Sequence, residues 1–178
     1  QVYANGGVGL VLALAYHFFP HPIFYLMFLG SLAAANADTW ETEIGTFFQK
    51  TTYSIVNFKK VPPGTSGGVS ILGTLGGIAG AVIIAISVVF LLPNQPGFLL
   101  FFTVIISGFL GSLIDSYTGA LFQAEYTCPY CQQKTERLQH CEEITELTSG
   151  LRWINNDIVN FICTLSGALT ALFLYMIF

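Results

Sequence analysis

The residues of this sequence that could do chemistry lie in five short stretches. The first holds Asn36, Asp38, Glu41 and Glu43. Asp38 and Glu41 are three positions apart, so a helix that continues through them sets both near one face. Two or three carboxylates beside an apolar segment can bind a hard cation such as Mg²⁺. The plainer reading is an acidic helix end at the water boundary. The second stretch is Asp115, a single acid inside an otherwise apolar run. An ionised carboxylate is costly inside a bilayer and less so near its surface, so Asp115 must face protein or a polar cavity. The third is Asn155, Asn156, Asp157 and Asn160, at the start of another apolar run. Helix capping explains one of these residues. It does not explain Asn160, one turn deeper, and carboxylate with amide oxygens suits Mg²⁺ and its waters.

The fourth stretch runs from Lys59 and Lys60 through Pro62-Pro63-Gly64-Thr65-Ser66-Gly67-Gly68 to Ser70. Glycines permit tight turns whose backbone N–H groups converge, and a helix start adds partial positive charge. Thr65 and Ser66 can donate hydroxyls. This is a plausible phosphate cradle, although it lacks the Gly-Lys-Ser/Thr ending of the Walker loop. A flexible lead-in to a helix is the alternative. The fifth stretch is Cys128-Pro-Tyr-Cys131 followed by His140-Cys141. Cys-x₂-Cys is a half-site for Zn²⁺, and His140 and Cys141 complete a set of four ligands. Free thiols and a redox pair are the competing readings. Cys163 lies within an apolar run and reads as a packing residue.

The elements that must position these residues are membrane helices. Only 9% of the 178 residues are Asp, Glu, Lys or Arg, and 53% are hydrophobic. Soluble domains carry about 25% charged residues. Apolar runs extend over Val8–Phe19 (starting as early as Val2), Ile23–Ala37, about Val69–Leu92, Phe98–Phe122 and Ile158–Phe178. The last three have roughly the 20 residues a spanning helix needs. The first two are shorter, broken at Pro20-His21-Pro22, and are either two spans or one re-entrant hairpin. Small residues such as Gly73, Gly76, Gly77, Gly80, Gly108, Gly111 and Gly167 let membrane helices approach closely.

The expectation is therefore an all-α, polytopic integral membrane bundle of about five transmembrane helices. It forms a single membrane domain over 1–178, with long loops at about 38–70 and 123–157. Strict alternation puts both loops on one side, together with all six basic residues: Lys50, Lys59, Lys60, Lys134, Arg137 and Arg152. The positive-inside rule makes that side cytoplasmic. So few basic residues, spread over two loops, offer no nucleic-acid surface. The chain begins at Gln1 without a basic n-region or a cleavage site. It reads as lacking a signal peptide and as a piece of a longer protein with spans before it.

At these residues the chain resembles the integral membrane family known as domain of unknown function 92. That family includes eukaryotic transmembrane protein 19 and the plant and cyanobacterial phytyl-phosphate kinases. The matching stretches are QVYANGG at Gln1–Gly7, NADTWETEIG at Asn36–Gly45, VPPGTSGGVSILGTLGG at Val61–Gly77, GSLIDSYTGALFQ at Gly111–Gln123 and GLRWINNDIVNFI at Gly150–Ile162. The family's Asp-Thr pair falls on Asp38 and Thr39, and its second acid on Glu43. Thr42 replaces a serine. Glu41 stands where a small residue is usual, which argues against a metal role for it. The Asn-Asp-x-x-Asn motif falls on Asn156, Asp157 and Asn160.

The resemblance implies a Mg²⁺-dependent polyprenyl-phosphate kinase. Such an enzyme moves a phosphoryl group from a nucleoside triphosphate, CTP or another, to an isoprenoid monophosphate such as phytyl or geranylgeranyl phosphate. The metal ligands would be Asp38, Glu43, Asp115, Asn156, Asp157 and Asn160, with Asp115 also catalytic. Gly64, Thr65, Ser66, Gly67, Gly68 and Ser70 would bind phosphate. Lys59, Lys60 or Arg152 would offset the remaining negative charge. The prenyl tail would lie among the spans, in contact with membrane lipid. The expected location is the cytoplasmic membrane of a prokaryote, with the active face toward the cytoplasm. Alternatives are a lipid nucleotidyltransferase or phosphotransferase, a transporter of a small solute or ion, and a non-catalytic scaffold. Cysteine-accessibility labelling should find the loops around Lys59 and Cys131 on the cytoplasmic side. Strong labelling of either loop from outside would reverse the topology.

Overall fold

The computed structural model describes residues 2–48, 51–91 and 97–177. Gln1, Gln49, Lys50, residues 92–96 and Phe178 lie outside the described residues. Five long helices form the body: α1 (Val2–Phe18), α2 (Pro22–Phe47), α3 (Ile71–Leu91), α4 (Gly97–Phe122) and α5 (Asn156–Ile177). By length and composition α3, α4 and α5 can each cross a membrane, and α1 is a shorter apolar helix. The chain is thus an all-α bundle with several membrane-spanning helices.

α1 and α2 are separate helices joined through Phe19–His21. Pro22 opens α2 with its fixed φ, and His21 caps it by accepting the Ile23 N–H at Nδ1, 3.3 Å away. α2 does not end at Asp38, where its apolar run ends. It continues to Phe47, so the first loop is shorter than expected. No helix breaker lies between Asp38 and Ile44, and hydroxyls bond back into the helix. Thr39 Oγ1 donates to Ala35 O at 2.8 Å, and Thr46 Oγ1 to Thr42 O at 2.6 Å. Its 26 residues give a length of about 39 Å at 1.5 Å per residue. That length exceeds a hydrocarbon core of about 30 Å, but α2 is less apolar than the three spanning helices α3, α4 and α5.

α2 is the central element and packs against all four other helices. Its buried face begins with Leu26 and Leu29 and continues in small residues, Gly30, Ser31, Ala33, Ala34 and Ala37, to Glu41. Along the small-residue stretch neighbouring backbones come close, which lipid-embedded helices need because no hydrophobic effect drives them together. A Cβ on Gly167 of α5 would lie 2.5 Å from Gly30 O, and a Cβ on Gly30 2.7 Å from Gly167 O. Polar ties supplement the contact. Asn36 Nδ2 donates to Gly80 O of α3 at 2.8 Å, and Thr164 Oγ1 of α5 to Ala4 O of α1 at 3.3 Å.

The two long loops fold into small antiparallel sheets at one end of the bundle. The first contains β1 (Thr52–Ser54), β2 (Lys60–Val61) and β3 (Gly68–Val69), with β1 in the middle. The second contains β4 (Glu125–Thr127), β5 (Lys134–Thr135), β6 (Gln139–His140), β7 (Glu143–Ile144) and β8 (Glu146–Ser149). There β4 lies between β5 and β8, while β6 pairs with β7. Gly150, at φ 76°, turns the chain back so that Leu151 N–H bonds Phe122 O at 2.9 Å. Replacing Gly167 by Val should overpack the α2–α5 contact and cost roughly 2 kcal/mol. The measurement is the unfolding midpoint in detergent, and an unchanged midpoint would show that this contact does not hold the helices together.

Candidate functional site

The end of α2, the first loop, α4 and the start of α5 enclose a cavity of about 280 Å³ at the loop end of the bundle. Its walls carry Asp38, Glu41 and Glu43 from α2, Asp115 from α4, and Asn156 and Asn160 from α5. Gly64–Gly68 and Ser70 form its rim. Asn5 of α1, Thr39, Thr42, Gly45, Thr46, Thr52, Ser116, Gln123 and Glu136 complete the lining. Five carboxylates thus face one space with no Lys, Arg or His among the lining residues.

The carboxyl groups of Asp38 and Asp115 face each other across the α2–α4 contact, close enough to interact directly. Two carboxyl groups in contact must share a proton or a cation, because two bare anions at that distance repel strongly. Asp115 Oδ1 is buried with no hydrogen-bond partner. Such an orphaned oxygen is costly unless something fills its coordination. Glu41 is different. It is 6% exposed, with Ser112 Oγ donating to its Oε2 at 3.1 Å and Thr74 Oγ1 to its Oε1 at 3.3 Å. Its oxygens are thereby tied to α3 and α4. The donor set of carboxylate, amide and hydroxyl oxygens fits a hard cation such as Mg²⁺.

At the start of α5, Asn155 is the cap. Its Oδ1 accepts the Ile158 N–H at 3.1 Å. Asn160 Nδ2 donates to Asn156 O at 2.9 Å, so the amide oxygen is what Asn160 has left for the cavity. Asp157 is not on this cavity. It lines a neighbouring one of about 420 Å³ together with Arg137 and Arg152. The reason is helical geometry: Asn156 and Asn160, four apart, share a face, and Asp157 is turned about 100° from Asn156. Arg152 therefore also lies off the Asp38–Asp115 cavity. Lys59 is exposed at the β1–β2 turn and lines none of the three cavities described.

The rim loop is only partly available to a ligand. Thr65 N–H donates to Pro62 O at 3.2 Å and Gly68 N–H to Thr65 O at 2.8 Å, closing the loop's own turns. Ser70 caps α3 by accepting the Gly73 N–H at 3.1 Å, and Ser66 Oγ donates to Gln123 Oε1 at 3.1 Å. The N–H groups of Gly64, Ser66 and Gly67 are the donors left to offer. Gly67 must be glycine: at φ 71° it sits against α4, where a Cβ would come 2.6 Å from Ser116 O. Sequence reasoning missed Gln123 and Glu136 as site residues. Gln123 Nε2 is buried without an acceptor at full hydrogen-bonding distance, and the carboxylate it leans toward is that of Glu136. Desolvation pushes the Glu136 carboxyl up, against the Gln123 interaction. No local signal marks Glu136, which a loop far from α2 carries to the cavity.

Beyond the cavity, the ligand atoms of Cys128, Cys131, His140 and Cys141 all lie within 4.8 Å of one another. This Cys₃His cluster could coordinate a structural metal ion. The Cys128 thiol is drawn down to about 6, first by the backbone N–H of Cys131 and against the push of desolvation. That favours the thiolate, the form that binds metals.

Fold and site together define a polytopic membrane protein with an acidic cavity at one end of its helices. The chain belongs to the family described as Integral membrane protein DUF92, whose model matches residues 1–168. It is 28% identical to the uncharacterized membrane protein MJ0933 of Methanocaldococcus jannaschii, over 98% of this chain and 61% of that protein. It is 30% identical to the chloroplastic protein VTE6 of Arabidopsis thaliana, over 84% of this chain and 38% of that protein. Protein PGR of the same plant is 28% identical over 77% of this chain and 50% of that protein. The chain thus spans about half the length of these relatives. No solved structure matches it.

In divalent-free buffer, Asp115→Asn should stabilise the protein by about 1 kcal/mol, because an amide can donate to Asp38 without a shared proton. Added Mg²⁺ should raise the unfolding midpoint of the wild type and leave the variant unmoved. Equal Mg²⁺ shifts in both proteins would remove Asp115 from any cation site.

Proposed function

We propose that this chain carries the active site of a membrane-embedded prenyl-phosphate kinase. The observation that supports the reading best is the gathering of five carboxylates and a glycine-rich loop in one cavity, at the loop end of the bundle, whose lining has no basic residue. Such a cavity repels free phosphates, so its natural ligands are phosphates that arrive with divalent cations. The family's link to phytyl-phosphate kinases, drawn from the shared motifs, narrows the acceptor to an isoprenoid monophosphate.

Asp38, Glu43, Asp115, Asn156 and Asn160 would hold Mg²⁺. Bound there, Mg²⁺ would supply charge neutralisation for the nucleotide phosphates and for charge developing on the leaving group. The Gly64, Ser66 and Gly67 N–H groups would hold phosphate oxygens at the rim. The acceptor is already an ionised phosphate monoester, so the site's main task is to place its oxygen in line with the donor's terminal phosphorus. The acceptor O–P bond forms as the bond from the terminal phosphorus to the bridging oxygen breaks. The nucleoside diphosphate leaves with the electron pair. The prenyl tail would extend among the helices, with the cavity opening toward the cytoplasm.

The test is transfer from radiolabelled nucleoside triphosphates to a panel of prenyl monophosphates by purified protein in detergent. The expected products are the prenyl diphosphate and nucleoside diphosphate. Release of pyrophosphate would instead indicate nucleotidyl transfer, and flux in proteoliposomes without turnover would indicate a transporter. Asp38→Asn and Asp115→Asn should each lower transfer by about a hundredfold or more while preserving the fold. Full activity in Asp115→Asn at ordinary Mg²⁺ would exclude the mechanism.

A further inference from the structure

The Cys₃His cluster lies in the loop that joins α4 to α5, and its spacing is that of a metal site. Cys131 Sγ is 3.4 Å from His140 Nδ1 and 3.7 Å from Cys141 Sγ, and Cys141 Sγ is 3.2 Å from the same nitrogen. Tetrahedral Zn²⁺, with bonds of about 2.3 Å to sulfur and 2.0–2.1 Å to nitrogen, sets its ligand atoms roughly 3.5–3.8 Å apart. None of these cysteines is in a disulfide. Cys128 Sγ lies 3.5 Å from His140 O, with the backbone N–H groups of Cys131 and Tyr130 beside it, the kind of outer support that metal-bound thiolates receive. Three non-glycine residues beside the ligands or among them adopt left-handed backbone: Gln132 (φ 59°), Cys141 (φ 53°) and Glu142 (φ 63°). Such conformations persist only where the surroundings hold them.

Apolar packing does not supply that hold. No residue from Gln132 to Gln139 is buried, and Leu138 is 60% exposed. Yet this segment, spanned at its ends by Cys131 and His140, delivers Glu136 to the Asp38–Asp115 cavity and to the two cavities beside it. What holds it among the described residues is polar: β5 pairs with β4, and Thr145 donates to Arg137 O and Leu138 O. A metal at Cys131 and His140 would fasten the two ends of the segment as well. Three sulfurs and one imidazole, with no carboxylate, select a borderline-soft cation over Mg²⁺.

We propose that Cys128, Cys131, His140 and Cys141 bind one structural Zn²⁺, and that this ion fixes Glu136 at the mouth of the Asp38–Asp115 cavity. The site stands whether or not that cavity transfers phosphoryl groups. Protein purified reduced and without chelator should contain about one zinc per chain, as a closed four-ligand site requires. Replacement by Co²⁺ should give tetrahedral d–d bands with thiolate charge transfer. Hydrogen exchange across Gln132–Gln139 should quicken at least about tenfold on stripping the metal. It should recover with Zn²⁺ but not with Mg²⁺, while α1–α5 stay protected. The double variant Cys128→Ser/Cys131→Ser should show the same exchange without chelator. If that variant does not fold, the stripped and reloaded wild type decides. Reduced protein without zinc, or an octahedral Co²⁺ spectrum, overturns the metal site. Zinc binding with unchanged exchange overturns its positioning of Glu136.

Discussion

Two carboxyl groups touch inside an apolar helix bundle, and most of the architecture follows from accommodating them. Asp38 on α2 and Asp115 on α4 face each other directly, and Oδ1 of Asp115 is buried without a hydrogen-bond partner. Burying charge without compensation costs more than any single packing contact returns. A third acid so near would make matters worse if it were equally bare. Glu41 is instead occupied at both oxygens by the hydroxyls of Thr74 and Ser112. The arrangement separates one acid that ties helices together from two that remain open to a cation.

Placing acids at the centre of a bundle requires a central helix that its neighbours can approach. α2 meets this need with glycine, alanine and serine on its buried face, matched by Gly167 on α5 and by Gly73, Gly76, Gly77 and Gly80 on α3. The backbone contacts that result leave little freedom to shift α2 along its axis. The position of Asp38 against Asp115 is therefore set by packing many residues away from either acid.

The loop end closes the cavity with parts that share little chemistry. Gly67 lets the first loop lie directly on α4, and Ser66 joins it to Gln123. The basic side chains stay outside: Arg137 and Arg152 line a neighbouring space, and Lys134 pairs with Glu125 at 2.6 Å. The carboxylates thus have no Lys, Arg or His among the residues lining their cavity, so protons or a bound cation must offset charge that gathers there.

Much of this was legible in the sequence, because it depends on local patterns. Apolar run lengths marked α3, α4 and α5, and an isolated acid in such a run marked Asp115. The short spacing of Cys128, Cys131, His140 and Cys141 marked the metal-type cluster. Other features came only with the tertiary structure. Hydropathy stops at Asp38, but α2 continues to Phe47, with one face, at Glu41, Ile44 and Gly45, packed against α3. Asn156, Asp157 and Asn160 are adjacent in one motif, yet the azimuth at which α5 packs admits the two asparagines to the cavity and turns Asp157 away. The family resemblance already set Glu41 apart from the metal set, but that Ser112, 71 positions later, occupies its oxygen came only with the fold. Glu136 gives no sign at all. Sequence spacing determines which side chains share a face of one helix. Which face meets which partner is decided by contacts between distant segments, and that is where the cavity was made.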